Sequence, residues 1–515
     1  MNAVVVRDVT PDEWQQEMLA ALSELSGIRI AAEVCRDNDV AQVSAGIRFQ
    51  LSLERLVLGD ARPRRAPSAQ AAIPWSPRGC TLVQLVAARS RTAIDLVLNL
   101  TSTSIAPYVG GALPLGLWEL SGGEQADRPR DTAGVFESLR GDPCTDVVLK
   151  ISGYEPQASA VAIHAQGRTD TLFASRSGVQ AGVMAARLLL GELARLVKLG
   201  KDPYFRLVGG RNPPQLSEPD WLPPSLVSRH KSRPARHVTR LTEKLLCRKQ
   251  WFLMFSISEA SGNLEDFRPM LPPKGFIWAD PFIVSKSGRY FIFVEEMSLR
   301  DNRGYLAVIE MDNSGNYSHS VPVLQKDYHL SYPCVFESSG KLFMIPESKQ
   351  NATVDLYECV DFPTGWRKVQ TLLSARAVDT TPLHFDGKWW LFTNLTPSGS
   401  PNSDGELSIF SAPEIMTSDW EPHALNPVVR SVRSARGAGA IYRRDGKLVR
   451  PTQDCSVRYG FGIRHMQIDT LSQQNFNERE VDVLFPWADE LLAVHTFAQC
   501  GPLTVIDAQR RIRRL

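Results

Sequence analysis

The sequence predicts an α/β N-terminal domain over residues 1–200 and an all-β five-bladed propeller over 251–515, with a proline-rich and basic linker at 201–250 between them. Three observations carry this reading. At about 100–200 residues per domain, a chain of 515 residues is too long for one core. Aliphatic runs alternate with longer helical patterns before residue 200, whereas short aromatic and β-branched runs separated by Gly, Asp, Asn and Ser follow Trp251. One phrase, an apolar strand, a polar turn with glycine and a second apolar strand, recurs through the second half.

In the first half, Ile28–Val34, Leu82–Ala87 and Asp95–Leu100 read as strands, and Pro11–Leu25 and Val179–Val197 as helices. The stretch around Ala181–Val197 is broken by Arg187, Glu192 and Arg195 and falls short of the ~20 apolar residues of a membrane span, so it reads as an amphipathic core helix. Residues Asp202–Pro224 collect Pro203, Pro213, Pro214, Pro219, Pro223 and Pro224, which marks the boundary. The net charge of +2 conceals a segment at 226–250 in which Arg229, Lys231, Arg233, Arg236, Arg240, Lys244, Arg248 and Lys249 face one acid, Glu243. Part of it puts several cations on one helical face, limited by Pro234. A solvated linker or docking on an anionic surface fits this segment. No nucleic-acid motif accompanies it, so no nucleic-acid partner is expected.

The repeated phrase appears at 281–296, 333–348, 381–394 and 440–454, with a blurred fifth copy at 495–508. Its turn glycines, Gly288, Gly340, Gly387, Gly446 and Gly501, are 52, 47, 59 and 55 residues apart, the period of four-stranded propeller blades. Outer strands follow at 305–311, 354–360, 407–413 and 462–468.

Propeller inner strands line a central channel, so polar residues recurring at equivalent places are site candidates. Asp280 precedes Pro281, Glu295 and Glu296 end the first hairpin, Glu347 ends the second, Asp379 opens the third and Asp454 ends the fourth. Cleaving a glycosidic bond takes an acid to protonate the leaving oxygen and a carboxylate to activate water or attack carbon, and three blades supply such groups. Trp278, Tyr332, Trp389 and Trp390 suit stacking on sugar rings, although adjacent Trp389 and Trp390 face opposite sides of a strand. His329, Arg436, Arg450 and Gln453 suit hydroxyls or an anionic substituent. The alternative for all of these is a structural role, the acids bonding backbone N–H groups and the arginines neutralising the acids.

WADPF, IPES and DTTPLHFDGKWWLF, in that order, resemble the glycoside hydrolase propellers of families 43, 32 and 68. Residues from about 251 to 510 more closely resemble the N-terminal domain of plant glucosamine inositolphosphorylceramide transferases. The resemblance implies a carbohydrate or glycolipid substrate, with Asp280 as nucleophile or base, Asp379 as the transition-state-stabilising acid and Glu347 as general acid. It does not imply transferase activity, which in the plant enzymes belongs to a separate domain.

The first half, with LVLNLTSTSIAPYVGGALPLGLWEL and then GVFESLRGDPCTDVVLKI, loosely resembles a formyltransferase-like domain. That family works through an Asn-His pair, whereas this chain has Thr101, Ser102, Thr103 and Ser104 and no adjacent His, so a fold without formyl transfer is expected. Gly110-Gly111 and Gly122-Gly123 form no dinucleotide fingerprint, and the dispersed cysteines form no metal or redox motif. No cofactor and no metal are therefore expected. The N-terminus reaches Asp8, Asp12 and Glu13 without the layout of a signal peptide, and a cytoplasmic, membrane-peripheral setting is expected. Two function classes stay open: an enzyme acting on a glycosidic bond in bacterial-type surface polysaccharide metabolism, and a non-catalytic glycan-binding or assembly protein.

Overall fold

The computed structural model describes residues 1–8, 13–36, 73–75, 81–89, 93–101, 104–110, 112–122, 133–154, 161–209, 247–258, 264–396 and 405–513. It divides into two units, Met1–Pro213 and Pro214–Leu515. The expected helical face in the basic segment lies outside the described residues up to 246.

The first unit holds a seven-stranded sheet of β1 (Asn2–Asp8), β2 (Arg29–Arg36), β3 (Ile73–Trp75), β4 (Leu96–Asn99), β5 (Leu117–Gly122), β6 (Cys144–Ser152) and β7 (Val161–Arg168), in the order β3-β2-β1-β4-β5-β6-β7. The five strands from β3 to β5 are parallel, and β6 runs antiparallel to both its neighbours. Alternate residues of β1 enter opposite layers: Ala3 and Val5 join the core with helix α1 (Glu13–Glu24), while Val4 and Val6 join the core with α2 (Leu82–Arg89). A strand buried on both faces has no polar side, which explains the unbroken valine run of β1.

The expected strand at Leu82–Ala87 is instead α2. Thr81 and Gln84 form a reciprocal capping box, the Gln84 N–H donating to Thr81 Oγ1 (3.3 Å) and the Thr81 N–H donating to Gln84 Oε1 (3.0 Å). The cap fixes the first turn, and a short apolar run alone does not distinguish strand from helix. The long helix Ala174–Leu199 buries Ala181, Ala185, Leu188, Leu189, Leu193 and Leu196. On the same face Glu192 is paired with Arg195 and accepts from the Tyr204 hydroxyl, which lets a helix interrupted by charges lie in the core.

The second unit is a five-bladed propeller. Blade 1 comprises Phe276–Lys286, Arg289–Ser298, Gly304–Met311 and Val321–Leu324; blade 2, Ser331–Ser338, Lys341–Glu347, Val354–Asp361 and Gly365–Leu373; blade 3, Ala377–Phe385, Lys388–Leu395, Ser408–Ala412 and Glu421–Pro422. Blade 4 runs from Arg436–Gly437 and Tyr442–Arg444 through Lys447–Asp454 and Gly462–Leu471 to Phe476–Leu484. Blade 5 is composite. Leu491–Cys500 and Leu503–Arg513 are completed by Cys247–Ile257 and Arg268–Met270, so the last strand of the chain pairs with the first of the propeller, Gln509 opposite Trp251.

The repeated turns follow from their sequence. Ser287-Gly288, Ser339-Gly340, Asp386-Gly387 and Asp445-Gly446 all hold positive φ at both residues, as a two-residue hairpin loop with right-twisted arms requires. Gly439 differs, because its φ is 129° and a Cβ there would lie 2.1 Å from the Phe497 carbonyl oxygen. Gly439→Ala is expected to lower unfolding free energy by roughly 3 kcal/mol or more. A Cβ on Gly446 meets nothing within 4 Å, so Gly446→Ala is expected to lose only about 1–2 kcal/mol. Urea denaturation of the two variants measures the contrast, and equal losses would show that the Gly439 approach is not limiting.

Candidate active site

The first strand of four blades breaks its ladder at the same place. Pairing jumps from Ala279 to Phe282, from Ser331 to Cys334, from Val378 to Thr381 and from Val494 to Phe497, so two residues oppose one on the neighbouring strand. Such bulges turn side chains out of the sheet and recur next to active sites. The residues turned out are Asp280 with Pro281, Tyr332 with Pro333, Asp379 with Thr380 and His495 with Thr496. Asp280, Tyr332 and Asp379 have φ of 52°, 48° and 50°, a region that costs a side-chain-bearing residue about 1–3 kcal/mol. Proline is accommodated in two bulges because the ladder needs no N–H there.

Asp280 is buried. It accepts hydrogen bonds from the Tyr332 N–H (3.1 Å) and Thr496 Oγ1 (3.0 Å), and His495 Nε2 lies 3.4 Å from its Oδ1. Burial pushes its carboxyl up to about 6, His495 opposes the rise, and Asp507 and Asp379 add to it. Asp379 accepts from Arg436 Nε and Gln453 Nε2 (3.2 Å), and the Arg436 guanidinium lies 3.9 Å from Glu347 Oε2. Burial, followed by the Asp379 charge, raises the Glu347 carboxyl well above the usual range. Glu295 is raised likewise, by burial and then by Asp280 and Glu347. Its partner is His329, 3.3 Å away through Nε2, while His329 Nδ1 accepts from the Gly304 N–H (2.9 Å). That acceptor role leaves the proton on Nε2, facing Glu295. Gly304 leaves room there, because a Cβ would meet the Leu330 carbonyl oxygen at 2.6 Å, as well as Glu295 Oε1.

Seven of the expected contact residues fall elsewhere. The Trp278 indole donates to Glu296 (2.6 Å), and Glu296 also accepts from Tyr305 and Ser320, so both residues serve a closed network inside blade 1. Trp390 is buried in an apolar cluster and donates to the Phe385 carbonyl, and Trp389 packs against Phe336 and His384. Arg450 is paired with Glu478 (2.6 Å) and bonded to the Ser434 carbonyl, while Asp454 is paired with Arg464 (2.7 Å) and holds Ser456. Tyr332 is also not a stacking platform: its ring is fully buried and its hydroxyl links Thr381 Oγ1 (2.8 Å) to Gly439, whose N–H donates to it (2.9 Å). Each of these side chains is thus occupied in packing or bonding within and between the blades.

Sequence reading missed His495, Thr496, Asp507, Trp251 and Tyr459. The first three lie in the blurred fifth copy, where His495 occupies the place of Asp280. Tyr459, 39% exposed, lies under the Arg436 guanidinium (4.8 Å) and makes an edge contact with His495 (ring centroids 5.4 Å apart). Trp251 stacks on His495 at 4.2 Å. Among the described residues, the ligand atoms of Asp280, His495 and Asp507 lie within 4.8 Å of one another, a spacing that a cation could use. The donor set does not fit one. Asp507 Oδ1 already accepts from the His495 N–H (3.1 Å) and the Thr496 N–H (2.7 Å), and Oδ2 accepts from the Asp280 N–H (2.8 Å) and lies 2.6 Å from His495 Nδ1.

Residues 269–490 match the family model for the N-terminal region of glucosamine inositolphosphorylceramide transferase 1. The propeller resembles that region. Glucosamine inositolphosphorylceramide transferase 1 of Arabidopsis thaliana is 33% identical over 213 residues, covering 41% of this chain and 28% of that protein. The protein of the same name from Oryza sativa subsp. indica is 30% identical over 216 residues, again covering 41% and 28%. The chain thus spans little more than a quarter of these relatives. Among solved structures, the catalytic domain of a family 62 α-L-arabinofuranosidase from Coprinopsis cinerea aligns with 13% identity and a TM-score of 0.33, covering 50% of this chain and 97% of that one. A family 117 glycoside hydrolase of Zobellia galactanivorans aligns with 10% identity and a TM-score of 0.34, covering 50% and 90%. Asp280, Glu295, Glu347, Asp379, Arg436 and Tyr459 lie within the matched span 269–490, whereas Trp251, His495 and Asp507 lie outside it.

The raised Asp280 carboxyl links stability to pH. Its folded value near 6 exceeds the ordinary 3.8, so its stabilising contribution is complete below about pH 4 and is lost as pH rises through about 6. Between those limits, the stability of the wild type relative to Asp280→Asn is expected to fall by on the order of 2 kcal/mol. Denaturation of both proteins at pH 4, 5, 6 and 7 measures it, and a constant difference would contradict the assignment.

Proposed function

We propose that this chain is a carbohydrate-active protein acting on a glycosidic bond, by hydrolysis or glycosyl transfer, in bacterial-type surface polysaccharide or glycolipid metabolism. The observation that carries the reading is the meeting of Asp280, Glu347 and Asp379 from three blades: Arg436 touches both Asp379 and Glu347, and the Asp379 charge acts on both Asp280 and Glu347. Their environments divide the work. Glu347, whose carboxyl burial and then the Asp379 charge raise well above the usual range, suits the general acid, its O–H protonating the glycosidic oxygen as the bond to the anomeric carbon breaks. Asp280, ionised above about pH 6, suits the base that takes a proton from attacking water, or the nucleophile that bonds to the anomeric carbon. Asp379, fixed by Arg436 and Gln453, suits a stabiliser of positive charge developing on the sugar ring. Exposed Tyr459 offers a ring face for a sugar, and Glu295 with His329 offers hydroxyl partners.

A second reading, glycan binding without turnover, is favoured by one observation: Arg436 already caps Asp379, as it would in a recognition site. For the first unit, we infer a formyltransferase-like scaffold without formyl transfer. Its support is the parallel sheet with β6 reversed, and a segment after β4 in which Thr101 is tied to Asn99 and Ser104 to Glu119, with no imidazole.

A broad glycan screen with the full chain tests the reading. Released or transferred sugar is expected, with kcat falling at least about 100-fold in both Asp280→Asn and Glu347→Gln. Tyr459→Ala is expected to weaken binding about fivefold, through loss of roughly 1 kcal/mol of ring contact. Binding without turnover, unaffected by the acid substitutions, would favour the second reading.

A further inference from the structure

Asp280 occupies a place in which a carboxylate is disfavoured twice, by burial and by the acids around it. Asp507 of blade 5 and Asp379 of blade 3 act on it, and its own charge acts on Glu295 of its blade and Glu347 of blade 2. Arg436, the nearby guanidinium of blade 4, is turned to Asp379 and Glu347. Among the described residues, the basic side chain against Asp280 itself is His495, with Nε2 3.4 Å from Oδ1. Its other nitrogen lies 2.6 Å from Asp507 Oδ2, and Asp507 is completely buried. The ring has little freedom. Trp251 stacks on one face, Tyr459 meets it edge-on, and the backbone of Gly460 lies so close that a Cβ there would meet His495 Cβ at 2.5 Å. Asp507 is fixed by the N–H groups of Asp280, His495 and Thr496, so the carboxylate that lies against the imidazole also holds the backbone of the Asp280 bulge.

We propose that Asp507 and His495 are positioning residues for Asp280: Asp507 holds the imidazole oriented and doubly protonated, and the imidazolium keeps Asp280 a carboxylate at neutral pH. This rests on the reading of Asp280 as base or nucleophile, which needs the anion. The charges are consistent along the line, Asp507 negative, His495 positive and Asp280 negative, and no proton need move while the site waits for substrate. His495 lies above its ordinary range although burial alone would lower it, because Asp507 foremost, with Asp280 and Asp379, outweighs burial. The pair belongs to blade 5 and lies outside the residues 269–490 that match the transferase family.

Imidazole nitrogen shifts report the state directly, with no substrate needed. In the full chain labelled with ¹⁵N-histidine, the His495 signals, assigned by their loss in His495→Gln, are expected to be those of an imidazolium at pH 7. A neutral ring at pH 7 in the wild type would overturn the proposal. Asp507→Asn is expected to weaken His495 proton binding at least about tenfold. Because Asp507 also anchors three backbone groups, His495→Gln supplies an independent arm: the ¹³C-carboxyl titration of Asp280 is expected to move upward from near pH 6, and an unmoved midpoint would overturn the link. A glycan screen that finds neither ligand nor turnover would remove the functional reading and leave these titrations standing. Turnover with a neutral His495 would remove only the role given to the pair.

Discussion

The repeated break in the inner strands is the constraint on which the site depends. A regular strand alternates its side chains between the two faces of its sheet, and in a propeller both faces are packed between blades. Asp280 and Asp379 reach the centre where the ladder is interrupted, and Glu295 and Glu347 join them from the paired positions beside the bulges. The bulges at Asp280, Tyr332, Asp379 and His495 supply that interruption at matching heights, and three of the four carry left-handed backbone. Strain of this kind persists where neighbours over-determine it. Here the strained residues hold one another, the Tyr332 N–H bonding Asp280 while the Tyr332 hydroxyl reaches Thr381 in the next bulge.

The electrostatics follow from this geometry. Bringing acids from several blades to one axis removes them from water and sets them against each other, and both effects favour the protonated form. Arg436 relieves Asp379 and Glu347, and His495 relieves Asp280, so the cations are distributed to particular carboxylates. The peripheral acids are treated differently. Asp454 with Arg464, and Glu478 with Arg450, are closed ion pairs whose groups satisfy each other. Proximity of an acid to a propeller strand is therefore no guide to function by itself. What separates the two classes is the partner: Asp454 and Glu478 each close an ion pair with an arginine of their own blade, whereas Asp280, Glu295 and Glu347 act on one another through their charges.

Much of the propeller was legible because its determinants are local. Ser-Gly and Asp-Gly fix the hairpins, and alternating apolar residues fix the strands. Asp280 and Asp379 stood out for the same reason, each followed by a proline one to three residues on. Residues whose role depends on which face they take were not legible. Trp278 and Trp390 are large and aromatic, as sugar platforms are, but the strand's parity places them between blades. His495 and Asp507 escaped notice because their copy of the repeat is blurred and their partner Asp280 lies over 200 residues away. In the first unit, the strand reading of Leu82–Ala87 overlooked the Thr81 and Gln84 cap, whose signal was present in the sequence.

The composite fifth blade also orders the assembly of the site in time. Trp251 leaves the ribosome before any other residue of the propeller centre, yet the ring it covers, His495, comes near the end of the chain. Hydrogen bonds to Asp280 span 216 and 227 residues, so loop closure over nearly the whole propeller precedes them. Blades 1 to 4 can form their hairpins as they emerge, but Asp280 gains its cation only when the circle shuts. Until then the blade 5 groups that enclose Asp280 are absent, and its carboxyl stays open to water.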